Sequence, residues 1–200
     1  MQTSPKKLNT EFSYKDYLSW DADNERWELI NGVAYDMSPA PTRKHQDIFR
    51  NLFKELVIYL DDKDCTVYAA PFDVRLPKGF QTDDEIKTVV QPDISVFCDE
   101  EKLDEKGAIG APDFIIEILS PSTAAKDLKE KFFLYESVGV KEYWIVDPSN
   151  ETLTVYSLGK DEKYPRGVVY AGEDKVKVGI FEDLEIEMEN VFKDKLKRSD

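Results

Sequence analysis

The spacing of hydrophobic residues predicts two helices and a hairpin in the first part of the chain. Residues 42–61 carry apolar side chains at intervals of three and four, the pattern of an amphipathic helix with one buried face. A shorter helix is predicted over residues 13–20, with Ser13 as its N-cap. Between them, the Asn-Gly pair inside WELINGVAYDM predicts a hairpin over residues 27–37.

Strands dominate the rest of the pattern, with one helix among them. The predicted strands lie at residues 65–70, 72–76, 88–98, 113–120, 141–147, 152–158, 167–171, 175–180 and 184–188. A polar stretch at 79–87 is expected to be a mobile loop, and a helix is predicted over 123–138, ending at Gly139. The strand, helix and strand between 113 and 147 predict a parallel βαβ crossover.

Composition is that of one globular domain, with an unusual excess of acid. The 200 residues are 41% hydrophobic, and we expect a single domain with a core at about 11–158, further strands at 159–190 and a charged tail at 191–200. Lys and Arg number 27 against 41 Asp and Glu, a net charge of −14. Because nucleic acid is bound mainly through its phosphates, a nucleic-acid site here must rely on a local basic patch, on metal ions or on a partner that holds the substrate.

The chain gives no sign of export or membrane insertion, so we expect a cytoplasmic protein with no membrane partner. Residues 1–10 have two lysines and no apolar run, and no apolar stretch reaches the length of a membrane span. Cys65 and Cys98 stand in no metal-binding spacing, and we expect two reduced, buried thiols.

Two acidic residues stand inside apolar strands and are the first candidates for chemistry. Glu117 lies in FIIEILS, where an unpaired carboxylate is costly, so it must be protonated, paired with a cation or bound to a metal. Asp93 follows Pro92 in the strand predicted before it. If neighbouring strands present both to one face, they form an oxygen-rich site suited to Mg²⁺ or Mn²⁺. The alternatives are a structural ion pair for Glu117 and a turn or solvent position for Asp93.

The helix after Glu117 adds a further pair, Asp127 and Lys131, spaced four residues apart. Leu128, Phe132 and Tyr135 are predicted to mark its buried stripe, and Lys131 lies on the flank of that stripe. Its ammonium group could therefore reach the carboxylates. The alternative is a surface ion pair, which at this spacing stabilises a helix by about a few tenths of a kcal/mol.

Several segments together resemble one known family. The segments are WELINGV, the helix at His45, QPDISV, PDFIIEILSPST, DLKEK and YESVGVKEYWIVDP. They resemble the Uma2 family (DUF820), a branch of the PD-(D/E)XK restriction-endonuclease-like superfamily, over about residues 11–158. The resemblance implies an α/β fold: a restriction-endonuclease-like core, with a mixed central sheet flanked by helices, and additional antiparallel strands at the N- and C-terminal ends.

The resemblance also implies an activity and a set of residues. The superfamily holds a metal with an Asp and the Glu of E-x-K; here these match Asp93 and Glu117, but Leu119 stands where the lysine is expected. The resemblance implies that Lys131 replaces it. Mg²⁺, with Mn²⁺ as substitute, would be held by Asp93, Glu117 and the backbone carbonyl of Ile118. Glu28, His45 and Asp127 are accessory candidates; an exposed strand position for Glu28 and a satisfied buried histidine are the alternatives.

The expected function is therefore a metal-dependent endonuclease that hydrolyses phosphodiester bonds in nucleic acid, DNA first, and acts as a homodimer. A nuclease acting on RNA or on unusual DNA structures is a weaker alternative. A different class also remains open: a nuclease-fold protein that no longer cuts and serves as a binding or assembly module. The leucine at 119 and the acidic balance favour that reading.

Overall fold

The computed structural model describes residues 7–8, 11–20 and 26–194. Its helices are α1 (Tyr14–Tyr17), α2 (Arg43–Leu60), α3 (Phe132–Val138) and α4 (Met188–Phe192). A π-helix, Lys126–Lys131, runs directly into α3. Short 3₁₀ turns lie at Asp83–Glu85 and Glu100–Lys102. The end of the predicted charged tail, residues 195–200, and most of residues 1–10 lie outside the described residues.

The described strands form three sheets. The strands are β1 (Lys7–Leu8), β2 (Trp27–Ile30), β3 (Val33–Asp36), β4 (Thr66–Ala69), β5 (Val74–Arg75), β6 (Val89–Val90), β7 (Ile94–Phe97), β8 (Leu103–Asp104), β9 (Gly107–Ile109), β10 (Phe114–Ile118), β11 (Glu142–Asp147), β12 (Thr152–Ser157), β13 (Val168–Ala171), β14 (Lys175–Lys177) and β15 (Glu185–Glu187). One sheet runs β1-β3-β2-β6-β5-β9-β8, a second runs β13-β12-β11-β10-β7-β4, and β14 pairs with β15.

The six-stranded sheet is mixed, and its centre is the crossover expected from the sequence. β10 pairs parallel with β11 and antiparallel with β7. All five residues of β10 are buried, as expected for a central strand covered on both faces. The mixed α/β architecture predicted from the sequence is therefore confirmed.

Helix α2 covers one face of this sheet through the predicted apolar stripe. His45, Ile48, Leu52, Leu56 and Leu60 are its buried residues, and the last four belong to the same core cluster as strands β7 and β10. The helix begins after Thr42, whose hydroxyl accepts a hydrogen bond from the backbone N–H of His45. This cap fixes the first turn, so His45 is held over the end of the sheet.

The hairpin β2–β3 forms as predicted, with Asn31 and Gly32 at positive φ. The single strand predicted at 88–98 is wrong: the chain forms β6 in one sheet and β7 in the other. Pro92 lies between the two strands, where a missing N–H prevents continued pairing. Asp93 therefore stands just before β7, where the chain passes from one sheet to the other.

The expectation of two reduced thiols is also wrong. Cys65 and Cys98 form a disulfide, with Cα atoms 4.0 Å apart. Antiparallel pairing of β4 with β7 places Thr66 opposite Phe97, so Cys65 and Cys98 face each other at the next position outward. Their separation of 33 residues gave no hint of this, because sheet register, not sequence spacing, brings them together.

Among the helices of the described residues, none has the length and apolar character of a membrane span.

The polar stretch 79–87, predicted as a mobile loop, includes the 3₁₀ turn Asp83–Glu85. That turn is capped by Thr82, whose N–H and hydroxyl both donate to the Glu85 carboxylate.

Candidate active site

A small pocket of about 50 Å³ opens where β7 begins, β10 ends and the π-helix meets the first hairpin. Most of the candidate residues line it. They are His45, Asp93, Glu117, Ile118, Asp127 and Lys131. Glu28, the remaining candidate, is fully buried behind the pocket.

Asp93 and Glu117 reach the pocket from adjacent strands. β7 and β10 pair with Ile94 opposite Ile116, so Asp93 and Glu117 lie at neighbouring ends of the two strands. The Asp93 carboxylate accepts a hydrogen bond from the backbone N–H of Ile118 at 2.8 Å, through its Oδ2. The juxtaposition predicted from strand alternation is therefore present.

Glu117 is buried and only partly satisfied. Its Oε1 accepts from the Lys131 ammonium at 2.7 Å and from the Tyr135 hydroxyl at 2.8 Å, whereas Oε2 has no donor among the described residues. Burial raises the pKa of Glu117 to about 8. Lys131 lowers this pKa, but the negative charges of Asp127 and Asp93 act against that effect.

Lys131 is shared among three carboxylates. Its Nζ lies 2.7 Å from Glu117 Oε1, 2.7 Å from Glu28 Oε1 and 3.6 Å from Asp127 Oδ1. Only 1% of Lys131 is exposed, so the surface-pair alternative for Asp127 and Lys131 is wrong. Burial lowers the pKa of Lys131, but the charges of Glu117, Glu28 and Asp127 raise it well above its usual value, and the ammonium stays charged.

Glu28 serves this lysine and a second one. Its Oε2 accepts from Lys126, and its Oε1 contacts Lys131 and accepts from the Gln91 backbone N–H at 2.9 Å. Burial raises the pKa of Glu28, yet the two lysines lower it to about 2. The exposed-strand alternative is wrong. Each Glu28 oxygen contacts a lysine, so Glu28 holds the two lysines in place.

The π-helix explains how two lysines five residues apart meet one carboxylate. In an α-helix residues 126 and 131 would be rotated by about 140° from each other. Hydrogen bonding from residue i to i+5 in a π-helix brings them to one side. The same change makes the predicted stripe wrong at Leu128, which is 51% exposed, while Asp127 is buried.

His45 lies beside Asp93. Its Nε2 is 3.2 Å from Asp93 Oδ2, and its Nδ1 is buried with no hydrogen-bond partner among the described residues. Burial lowers the pKa of His45, but the hydrogen bond and charge of Asp93, with smaller contributions from the Ile118 carbonyl and Asp127, raise it above its usual value. The alternative of a buried histidine with its hydrogen bonds satisfied therefore holds for Nε2 and not for Nδ1.

These groups carry an excess of negative charge. We call Glu28, Asp93, Glu117, Asp127, Lys126 and Lys131 the site cluster: four carboxylates and two lysines. With every group ionised the sum is −4 + 2 = −2, and −1 if His45 is protonated. Such an arrangement favours a bound cation or the protonation of one acid.

Sequence comparison assigns the family. The sequence model of the Uma2 family, described as "Putative restriction endonuclease", matches residues 14–189. The chain belongs to the Uma2 family.

Two curated proteins of Synechocystis sp. are similar to this Uma2 chain. The "Uncharacterized protein slr1290" of Synechocystis sp. is 26% identical over 160 residues, 79% of this chain and 80% of that protein. The "Uncharacterized protein sll1609" of the same organism is 27% identical over 126 residues, 62% of this chain and 67% of that protein.

The fold of this Uma2 chain is found in a solved structure. A crystal structure of a "putative nuclease belonging to DUF820" from Anabaena variabilis superposes with a TM-score of 0.71, covering 90% of this chain and 97% of that one. The sequence identity is 21%, so this likeness establishes the fold.

Sequence reasoning missed several residues of the Uma2 site. Lys126 and Tyr135 both contact site carboxylates, and Arg26 lines the pocket with its guanidinium held by Gln91. Tyr135 was assigned to the apolar stripe, and nothing in an α-helical pattern signals Lys126. The available signal for Arg26 was its position two residues before Glu28, which places both on one face of a strand.

Proposed function

We propose that this protein is a metal-dependent endonuclease that hydrolyses phosphodiester bonds in nucleic acid, with DNA as the first candidate. The observation that carries the proposal is the excess of carboxylate over lysine in the site cluster, beside a pocket open to solvent. A structural ion-pair network would match its carboxylates with cations, whereas a site for a divalent cation has reason to keep more carboxylates than lysines.

The residues present fit a hard divalent ion such as Mg²⁺ or Mn²⁺. Asp93 Oδ1 and Glu117 Oε2 have no donors among the described residues, so each carboxylate keeps one oxygen available. Across the described ranges, no three His, Cys, Asp or Glu side chains are grouped to hold a metal ion. The backbone carbonyl of Ile118, close to His45, would therefore supply the third protein oxygen.

The chain's own residues would then perform the remaining tasks. When bound, Mg²⁺ would supply a Lewis acid and lower the pKa of a water molecule. Lys131 would stabilise the negative charge that develops on the phosphate oxygens, since its ammonium is held charged and buried. Tyr135 would hold the Glu117 carboxylate in one orientation through its 2.8 Å hydrogen bond.

The first test is a calorimetric titration of Mn²⁺ into the wild type, Asp93→Ala and Glu117→Ala. We expect binding in the wild type and none in either variant, with circular dichroism verifying that all three are folded. Glu142→Gln is the matched control, because Glu142 is buried but accepts from Trp144 and the Ile180 N–H, away from the pocket.

Cleavage of plasmid and oligonucleotide DNA in the presence of Mg²⁺ completes the test. Both site variants should lose activity that Glu142→Gln retains. Full cleavage by Asp93→Ala or Glu117→Ala would contradict the proposal, as would a wild type that binds no divalent ion.

A second candidate function is a binding or assembly module that no longer cuts. Its supporting observation is that Lys131 already contacts three carboxylates, while the position two after Glu117 is Leu119, packed against a core cluster. No Mn²⁺ binding in the wild type, together with copurification of a specific protein partner, would favour it. The homodimer and the cytoplasmic location stay predictions.

A further inference from the structure

Arg26 differs from every other cation at the pocket. Lys126, Lys131 and His45 each contact a carboxylate. Among the described residues, Arg26 has no acidic partner; its guanidinium donates from Nε and Nη2 to the side-chain carbonyl of Gln91, at 3.1 and 2.7 Å. The pocket mouth therefore carries a guanidinium that no described carboxylate contacts directly.

The orientation of Gln91 is fixed from the far side. Its Nε2 donates to Asp73 Oδ1 at 2.8 Å and to the Tyr17 hydroxyl oxygen at 3.1 Å. The Tyr17 hydroxyl donates to the same Asp73 oxygen at 2.9 Å. Because a carboxylate only accepts, Gln91 must turn its NH₂ group to Asp73 and its carbonyl to Arg26.

This arrangement leaves one edge of the guanidinium available. The guanidinium of an arginine carries several N–H donors, and the Gln91 carbonyl accepts from two of them. The remaining donors, on Nη1 and Nη2, form the end-on fork that matches two oxygens of a phosphate group. Arg26 is exposed and lines the pocket, so an anion can approach this edge from solvent.

The same chain segment links Arg26 to the site cluster. Arg26 precedes β2 and stands two residues before Glu28, so their side chains leave the backbone on the same side. The backbone N–H of Gln91 donates to Glu28, while its side chain holds Arg26. Arg26 is thus tied to the residues that hold Lys126 and Lys131, at a fixed place relative to the carboxylates.

We propose that Arg26 is a substrate-binding residue that holds a phosphate of the nucleic-acid backbone at the pocket mouth, with Gln91 as its positioning residue. The proposal rests on the proposed nuclease function and deepens it. It accounts for phosphate recognition by a chain of net charge −14, because one correctly placed guanidinium whose fork faces solvent acts locally.

The test measures binding of fluorescein-labelled duplex DNA, single-stranded DNA and RNA of one sequence, by anisotropy over a range of salt concentrations. Arg26→Gln is expected to raise the Kd of the bound probe about tenfold or more. It should also reduce the slope of log Kd against log salt by about one. Arg166→Gln, an equal change in charge at an exposed position outside the pocket, should leave both unchanged.

Two further variants separate charge from geometry. Arg26→Lys keeps the charge but loses the fork, so the salt slope should persist while Kd rises severalfold. Gln91→Met keeps the backbone N–H to Glu28 and removes only the side-chain contacts, so a smaller rise is expected. An unchanged Kd in Gln91→Met would overturn the positioning role of Gln91.

Mn²⁺ calorimetry separates failure of this proposal from failure of the proposed function. Arg26→Gln should bind Mn²⁺ as the wild type does, because Arg26 contacts neither Asp93 nor Glu117. Equal Kd values for Arg26→Gln and wild type, with Mn²⁺ binding intact, would overturn the role of Arg26 alone. A wild type that binds none of the three probes would also overturn it. A wild type that binds no Mn²⁺ would instead count against the proposed nuclease function.

Discussion

The site cluster and a second cluster of charged side chains, around Arg75, differ in their charge balance. The Arg75 cluster contains Arg75, Asp83, Asp104 and Lys106, two cations against two carboxylates. The Arg75 guanidinium is 2.7 Å from Asp83 and also contacts Asp104, while Lys106 lies 2.8 Å from Asp83. The site cluster instead sets four carboxylates against two lysines.

The pKa shifts follow this difference. A hydrogen bond from Arg75 lowers the pKa of Asp104, and hydrogen bonds from Lys106 and Arg75 outweigh burial to lower that of Asp83. In the site cluster, burial raises the pKa of both Glu117 and Asp127. A balanced network supports the fold with its groups charged, whereas the site cluster keeps acids that favour protonation or a cation.

Removing a carboxylate should therefore have very different effects in the two clusters. Glu28→Gln leaves Lys126 and Lys131 without the carboxylate they share, and breaking a buried ion pair in this way costs about 3–5 kcal/mol. Asp104→Asn removes a partner whose side chain is 44% exposed, and Arg75 keeps Asp83. We expect a loss of about 1 kcal/mol or less there.

Unfolding in guanidinium chloride, followed by circular dichroism, measures both free energies. The comparison between the clusters would fail if Asp104→Asn cost as much as Glu28→Gln.

Added Mn²⁺ should raise the free energy of unfolding by binding at the site cluster, and the Arg75 cluster should play no part in this gain. A ligand that binds only the folded state at about 100 times its Kd raises the free energy of unfolding by about 2.7 kcal/mol. Glu117→Gln should lose this gain, and Asp104→Asn should keep all of it. Denaturant unfolding with Mn²⁺ and with chelator measures the difference. An equal gain in Glu117→Gln would place the ion somewhere else.

The sequence was sufficient for those parts of the site that depend on strand geometry. Side chains alternate along a strand and consecutive strands often pair, so the sequence suggested that neighbouring strands bring Asp93 and Glu117 to one face. The β10–β11 crossover followed from the short span between two strands. These features depend on local periodicity, which is visible in a single sequence.

The parts that failed depend on departures from regular geometry or on distant pairing. The π-helix changes the face on which Lys126 lies, and an α-helical wheel assigns Leu128 to the core instead. The Arg26–Gln91–Asp73 contacts join residues 65 and 18 positions apart, and the disulfide depends on the register of β4 with β7. Apolar periodicity carries no information on either.

The two clusters should also respond to pH in opposite directions. In metal-free protein, the folded-state pKa of Glu117, about 8, lies above its usual value of 4.5. Its contribution to stability is thus fully present below about pH 4.5 and is lost as pH rises toward 8. Asp104 has a lowered pKa, so its contribution is present above its usual value of 3.8 and is lost as pH falls below it.

The difference in unfolding free energy between wild type and Glu117→Gln in chelator isolates the first effect. Between pH 6 and pH 7 the wild type should lose stability relative to the variant, by at most about 1.4 kcal/mol per pH unit for one proton. The same difference for Asp104→Asn should be flat over this range and change only in acid. A flat profile for Glu117→Gln would mean that Lys131 keeps Glu117 ionised, and the site cluster would then resemble the Arg75 cluster rather than a site lacking a cation.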